Sequence, residues 1–316
     1  MKLKKLLISI SLIGSVLVGC SNTTTEQVSN QAMENPVTSN DENIDNEKIN
    51  EEKKISVASV AISQILEEMG VDIVGRPTTK LTLPERYESV AEIGSSFSPD
   101  FEKVLAVGTE LLIGDSMFKD KIEKSAQEYG IETFYVNTST YNDFLISIEE
   151  LGEKINKQAE ATDIIERFTQ PLDTSEINKD LKVAIIMGST ESNMLATEKT
   201  YIGSLVEALG VKNIATEIIN SGNNPLEVDS NGYINLNIEQ LIENQPDIIL
   251  AFGHGNIEEA TKVFEKLFKE NPVWANLDAV KNNKMHYLDS SIFGTSANNL
   301  VDKALIELGE ILNEKQ

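Results

Sequence analysis

The stretch PDIILAFGHGNIEEATKVFEKLFKE, residues 246–270, reads as a buried strand, a glycine turn and an amphipathic helix. Ile248 to Phe252 form a short apolar run bounded by Pro246–Asp247 and Gly253, which is the signature of a strand covered on both faces. From Ile257 the apolar spacing changes to three and four, as in a helix that shields one side of a sheet. His254 stands at the junction between two glycines, in a chain with only two histidines. A strand followed at once by a helix is the repeating unit of a parallel α/β sheet, and such sheets bind ligands beyond the carboxyl ends of their strands. By position alone His254 has two readings: a metal ligand at that edge, or a turn histidine without a partner.

The same alternation extends in both directions. KISVASV (54–60), VDIVGRP (71–77), ELLIGD (110–115) and IETFYVN (131–137) read as strands. AISQILEEMG (61–70), SPDFEKVLAVG (98–108, with Ser98 as N-cap) and MFKDKIEKSAQEYG (117–130) read as helices. YNDFLISIEELGEKINKQAEATDIIERF (141–168) then carries one unbroken helical pattern, with Phe144, Ile148, Leu151 and Ile155 three or four apart. After Pro171 the alternation restarts with LKVAIIMG (181–188), YIGSLVEALG (201–210), IEQLIENQ (238–245), NNKMHYLDS (282–290) and ANNLVDKALIELGEILNEK (297–315). The expected fold is α/β, with two Rossmann-like lobes, 53–140 and 171–316, joined by one long interlobe helix, 141–170. A single crossing of that kind predicts little closure on a ligand.

Ahead of the lobes, MKLKKLLISISLIGSVLVGC has the charged start and short apolar core of an export signal, expected over 1–19. Residues 21–52 are polar and acidic, with too little apolar surface to offset the entropy of ordering, and read as a tether. The ending LVGC resembles a bacterial lipobox, which implies a palmitate-bearing lipid anchor on Cys20 and a location on the outer face of the cytoplasmic membrane. A plain secretory signal with a chance cysteine is the alternative.

Composition excludes several functions. The chain has 316 residues and a formal net charge of −24, which repels nucleic acid and anionic membrane surfaces. Cys20 is its only cysteine, so disulfides and thiolate metal sites are ruled out. There is no Gly-x-Ser-x-Gly elbow and no phosphate loop, so an enzyme is not expected. Zinc or manganese import would need more nitrogen ligands than His254 and His286 on unrelated strands provide. His286 alternates with apolar neighbours and reads as structural. Only Arg76, Arg86 and Arg167 carry guanidinium groups, too few for a strongly anionic chelate.

The segments SPDFE (98–102), MLATEKTYIGSLV (194–206), PDIIL (246–250) and HGNIEE (254–259), with the C-terminal run from Asn271, resemble the haem-binding lipoproteins of bacterial haem importers of the iron-regulated surface determinant type. The resemblance covers about residue 54 to the end. It implies the class III periplasmic-binding-protein fold, haem as the transported ligand, His254 as an axial iron ligand, and delivery to an ABC permease, with a haem-donor protein upstream and a monomeric chain. The family's second ligand, a methionine two residues before the Pro-Asp, falls on Phe97 in EIGSSFSPD. Phenylalanine cannot ligate iron but can lie against a porphyrin face. Iron held by His254 alone is one outcome; otherwise Met117, after the strand ELLIGD, is the candidate replacement thioether, its other reading being a helix-start residue packed on the lobe, with Met194 weaker and Met69, Met187 and Met285 read as core. Lys80, Arg76 and Tyr201 are candidates for the propionates. The family's permease-contacting carboxylates fall on Glu102 and Glu239. A ferric siderophore or a corrinoid stays open as the alternative ligand, and a structural lipoprotein or adhesin as the alternative class.

Overall fold

The computed structural model describes residues 53–170, 174–188, 193–220, 227–253, 262, 264–266 and 272–313. Strand β1 (Ile55–Val57) lies between β2 (Gly75–Arg76) and β6 (Leu111–Asp115), and the first sheet runs β3-β2-β1-β6-β7, with β3 at Ala91–Glu92 and β7 at Glu132–Val136. Every pairing in it is parallel. All five residues of β6 are buried, as its apolar run requires of a strand with helices on both faces. Helix α1 (Val60–Glu68), capped by Ser59, and helix α3 (Lys119–Glu128) connect these strands.

Ser98 and Pro99, expected to start a helix, instead form β5, which pairs antiparallel with β4 (Gly94–Ser95) in a small hairpin. The cap of helix α2 (Phe101–Ala106) is Asp100, whose carboxylate accepts from the Glu102 and Lys103 amides. An aspartate side chain is a strong acceptor at a helix start, and Ser98 lies two residues too far back to compete.

The pattern read as one helix over 141–168 is two: α4 (Tyr141–Lys154) and α5 (Gln158–Phe168). They fold back on each other, with Phe144 stacked on Phe168 at 6.2 Å and the Tyr141 hydroxyl donating to the Phe168 carbonyl at 3.0 Å. The turn forms at Asn156, which takes the left-handed φ of 58°, and Gly152 lets α5 approach so closely that a Cβ there would sit 2.5 Å from that of Ala161. Folding back buries Phe144, Ile148 and Leu151 against Ala161, Ile164 and Phe168, which a straight helix could not do. The connector of the fold is thus a helical hairpin.

The second sheet runs β11-β9-β8-β12-β13, from Tyr233–Asn235, Asn193–Ala196, Lys182–Gly188, Ile248–Gly253 and Met285–Tyr287. Its core is parallel: β8 pairs with β12 and β12 with β13. On the other edge of β8, β9 runs antiparallel to it, and β10 (Lys212–Asn213) pairs parallel with its first residues. Helices α6 (Tyr201–Ala208), α7 (Ile214–Asn220), α8 (Ile238–Asn244) and the closing helix Val301–Asn313 cover it. The helix expected over 257–270 lies largely outside the described residues. One apolar cluster runs from Val57 of the first sheet through Phe144 and Tyr201 to Leu305, so the two lobes share a core.

Candidate ligand cleft

The carboxyl ends of β6 and β7 and the segment after β13 meet through a buried chain of hydrogen bonds. Asp115, the last residue of β6, accepts from the Thr138 hydroxyl at 2.6 Å and from the Met117 amide at 2.9 Å. The Thr138 carbonyl accepts the Ala297 amide of the second lobe at 2.8 Å. Burial raises the Asp115 carboxyl above its ordinary range, partly opposed by the two donors. Asp115 thereby holds the 3-10 turn Ser116–Phe118 that leaves the strand end. No reading of the residues singled it out, although an aspartate ending an apolar run and starting a turn is a capping signal.

On that turn Met117 is 44% exposed. Phe97, at the tip of the β4–β5 hairpin, is 55% exposed and lies tilted against Phe118 at 6.4 Å between ring centroids. Exposed Phe97 and Met117 and half-buried Phe118 thus lie at the carboxyl edge of the first sheet, with the Lys121 ammonium 5.8 Å over the Phe118 ring, and this apolar and aromatic surface favours a flat, partly apolar ligand.

On the second lobe, β12 ends at Gly253 in register with Gly188, the last residue of β8. A Cβ on Gly188 would meet the Phe264 ring at 2.3 Å, so any larger residue there would have to displace that buried ring. His254 follows Gly253 directly and, like Cys20, lies outside the described residues.

The remaining candidates separate. Lys80 is exposed in the loop after β2 and makes no ion pair or hydrogen bond among the described residues. Arg76, expected as a cation for the ligand, is tied down within the first lobe. Its Nε donates to the Val90 carbonyl at 3.0 Å, one terminal nitrogen donates to Pro77, and the other pairs with Glu92 at 3.0 Å. The parallel pairing of β2 and β3 places Arg76 opposite Glu92, a long-range contact that sequence spacing does not reveal.

Tyr201, expected as a donor at the cleft, is wholly buried at the start of α6, its hydroxyl unpartnered among the described residues. Burial, with Asp302 and Tyr141 nearby, pushes its hydroxyl far above the ordinary tyrosine range. Tyr201→Phe is expected to stabilise the fold by about 1 kcal/mol, because it removes a buried group that lacks a partner. Chemical denaturation followed by circular dichroism checks this. A cleft donor would instead show weaker ligand binding at unchanged stability.

Glu102 and Glu239 are exposed and built alike. Each lies in the first turn of a short helix, its amide bonded to an Asx cap: Asp100 at 3.1 Å and Asn237 at 2.9 Å. Met69 is buried in the core, Met187 faces Met194 across β8 and β9, and Met285 packs beside the second-lobe core. His286 lies on β13 in register with Leu250.

A profile of the periplasmic binding protein family matches residues 55–292. The high-affinity heme uptake system protein IsdE of Staphylococcus aureus is 33% identical over 263 residues, spanning 82% of this chain and 86% of that protein. The crystal structure of an ABC transporter substrate-binding protein from Listeria monocytogenes EGD-e superposes with a TM-score of 0.72 at 29% identity, over 84% of this chain and 100% of that one. The structure of S. aureus IsdE complexed with heme superposes with a TM-score of 0.70 at 32% identity, over 83% and 100%.

Proposed function

The chain belongs to the periplasmic binding protein family, and from that premise we propose that it is the haem-binding component of an ABC importer. It performs no covalent chemistry: it holds an iron porphyrin between its lobes and delivers it to a permease. The observation that carries this reading is the 32% identity, over the full length of the other chain, to a structure of IsdE complexed with heme. Exposed Phe97 and Met117, beside half-buried Phe118, fit the same ligand, since aromatic and apolar surface suits a flat macrocycle. His254 supplies the iron ligand, a role suited to a neutral imidazole. With Phe97 at the family's methionine position, Met117 is the first-lobe thioether for the opposite face. Lys80 is the cation for a propionate. Glu102 and Glu239 meet arginines of the permease, one from each lobe, and mainly set orientation and encounter rate. Cys20 carries the lipid that anchors the chain to the outer face of the cytoplasmic membrane, and an upstream donor protein supplies the haem.

Mixing the purified chain with haemin is expected to give a Soret band shifted from that of free haemin, saturating at one equivalent. A response to cobalamin or to a ferric siderophore, with none to haemin, would transfer the reading to that ligand. Met117→Ala is expected to change the absorption spectrum of the haem complex. Spectra unchanged from the parent in both ferric and ferrous forms remove Met117 from the ligand set.

A further inference from the structure

Two of the three arginines pair inside the first lobe: Arg76 with Glu92, and Arg86 with Asp72. Arg167 differs. Near the end of α5 its guanidinium forks between the lobes. One nitrogen meets Glu68, at the end of α1 in the first lobe, at 2.5 Å. Another meets Asp302, in the first turn of the closing helix of the second lobe, at 2.9 Å, and the Asn299 carbonyl at 3.3 Å. The second oxygen of Glu68 accepts the Asn299 side-chain amide at 2.8 Å, which closes a ring of Glu68, Arg167 and Asn299 across the lobes. The guanidinium also lies 4.6 Å over the ring of Phe168, which is buried.

Isolated surface ion pairs contribute little, because each must order two long side chains in water. This one is different in kind. All three charged groups are about one-quarter to one-third exposed, at 34% for Arg167 and 26% each for Glu68 and Asp302. The planar fork fixes two acceptors at once, and the ring beneath it restricts its rotamers. Two further ties cross the lobes or join the connector to the second lobe: the Ala297 amide to the Thr138 carbonyl, and the Tyr141 amide to the Ser204 hydroxyl, both at 2.8 Å.

We infer that Arg167 is a positioning residue that clasps the two lobes at a fixed angle, and that this clasp sets the rate at which the cleft releases its ligand. The part about release rests on the haem-binding reading above. The part about angle does not. For the lobes to part, Glu68 must move away from Asp302, and both arms of the guanidinium cannot follow.

The test uses the full chain with Cys20→Ser, and spin labels at Lys124→Cys on α3 and Glu243→Cys on α8, both exposed and one on each lobe. Pulsed dipolar spectroscopy is expected to give one narrow interlobe distance, the same with and without haemin. Arg167→Ala is expected to broaden it. Transfer of haemin to excess apomyoglobin should then be faster by about fivefold, the equivalent of about 1 kcal/mol, with the Soret position unchanged. Arg167→Lys, which reaches one carboxylate but cannot fork, should fall between. Should Arg167→Ala fail to fold, Glu68→Gln and Asp302→Asn each open one arm and carry the same expectation. A distance distribution as narrow as the parent's in these variants overturns the clasp. Broadened distances with an unchanged transfer rate overturn its control of release. If the parent chain takes up no haemin, the functional reading falls and the distances alone still decide the clasp.

Discussion

His254→Ala is expected to return the Soret band of bound haemin toward that of free haemin and to weaken binding at least about 30-fold, the roughly 2 kcal/mol scale of an interfacial hot spot. The apolar surface at Phe97 and Met117 should still hold some haemin, because burial of porphyrin area contributes about 25 cal/mol per Å² independently of the iron bond. The variant is therefore expected to bind weakly and with a different spectrum, and not to lose the ligand altogether. Added imidazole should restore the parent spectrum, since it supplies the missing nitrogen without the tether. The position explains the choice of residue. β12 is buried along its whole length, and its last residue Gly253 aligns with Gly188, where a side chain would have to displace the buried Phe264 ring. In sequence His254 follows Gly253 directly and stands between two glycines, so it is the first residue past the described end of β12 that carries a side chain. A His254→Ala protein with the parent's spectrum and affinity would remove the assignment.

Those same features explain what could be read from the residues. The strands that carry both sheets, β1, β6, β8 and β12, are apolar on both faces because helices cover both, so their runs stand out even at three to seven residues. The antiparallel pair β9 and β11 leaves no signal in the sequence: NMLA and YIN are four and three residues long, and only the pairing of β9 with β8 and of β11 with β9 gives them a role. The hairpin of α4 and α5 looks like one helix in the sequence because both arms keep the same apolar spacing. The break rests on Asn156 and Gly152, and neither residue by itself forbids a helix. At the site, the place of Met117 beyond the end of ELLIGD follows from the β-α order, whereas Phe97 stands out only through the family resemblance and lies on a hairpin that the order does not show. Arg76 and Tyr201 did not, because an element's period tells which face a side chain shares but not what lies opposite. Glu92 answers that for Arg76, and the buried join between the lobes answers it for Tyr201.

Gly203→Ala should have the largest effect on stability. Gly203 is the third residue of α6, within the run ATEKTYIGSLV that singled out this segment, and its amide is capped by the Thr200 hydroxyl at 3.1 Å. The Thr197 carbonyl folds over the same spot, accepting the Thr200 amide at 3.1 Å and the Thr200 hydroxyl at 2.8 Å. A Cβ at Gly203 would sit 1.9 Å from that carbonyl oxygen and 2.6 Å from its carbon. Backbone on both sides of the clash cannot move aside as a side chain would. Thr197 is itself anchored, its hydroxyl donating to the Gly232 carbonyl at 2.7 Å. Relief requires α6 to shift, and α6 carries Ser204, which accepts the Tyr141 amide of the connector, and the buried residues Tyr201, Ile202, Leu205 and Val206. Overpacking of a core by one methyl group costs about 1–3 kcal/mol where neighbours can yield, so about 3 kcal/mol or more is expected where they cannot. For a folded unit of this size that lowers the thermal midpoint by about 6–12 °C. A loss below about 1 kcal/mol in chemical denaturation would mean that α6 can slide along the shared core, and the lobes would then be far less firmly joined than their hydrogen bonds imply.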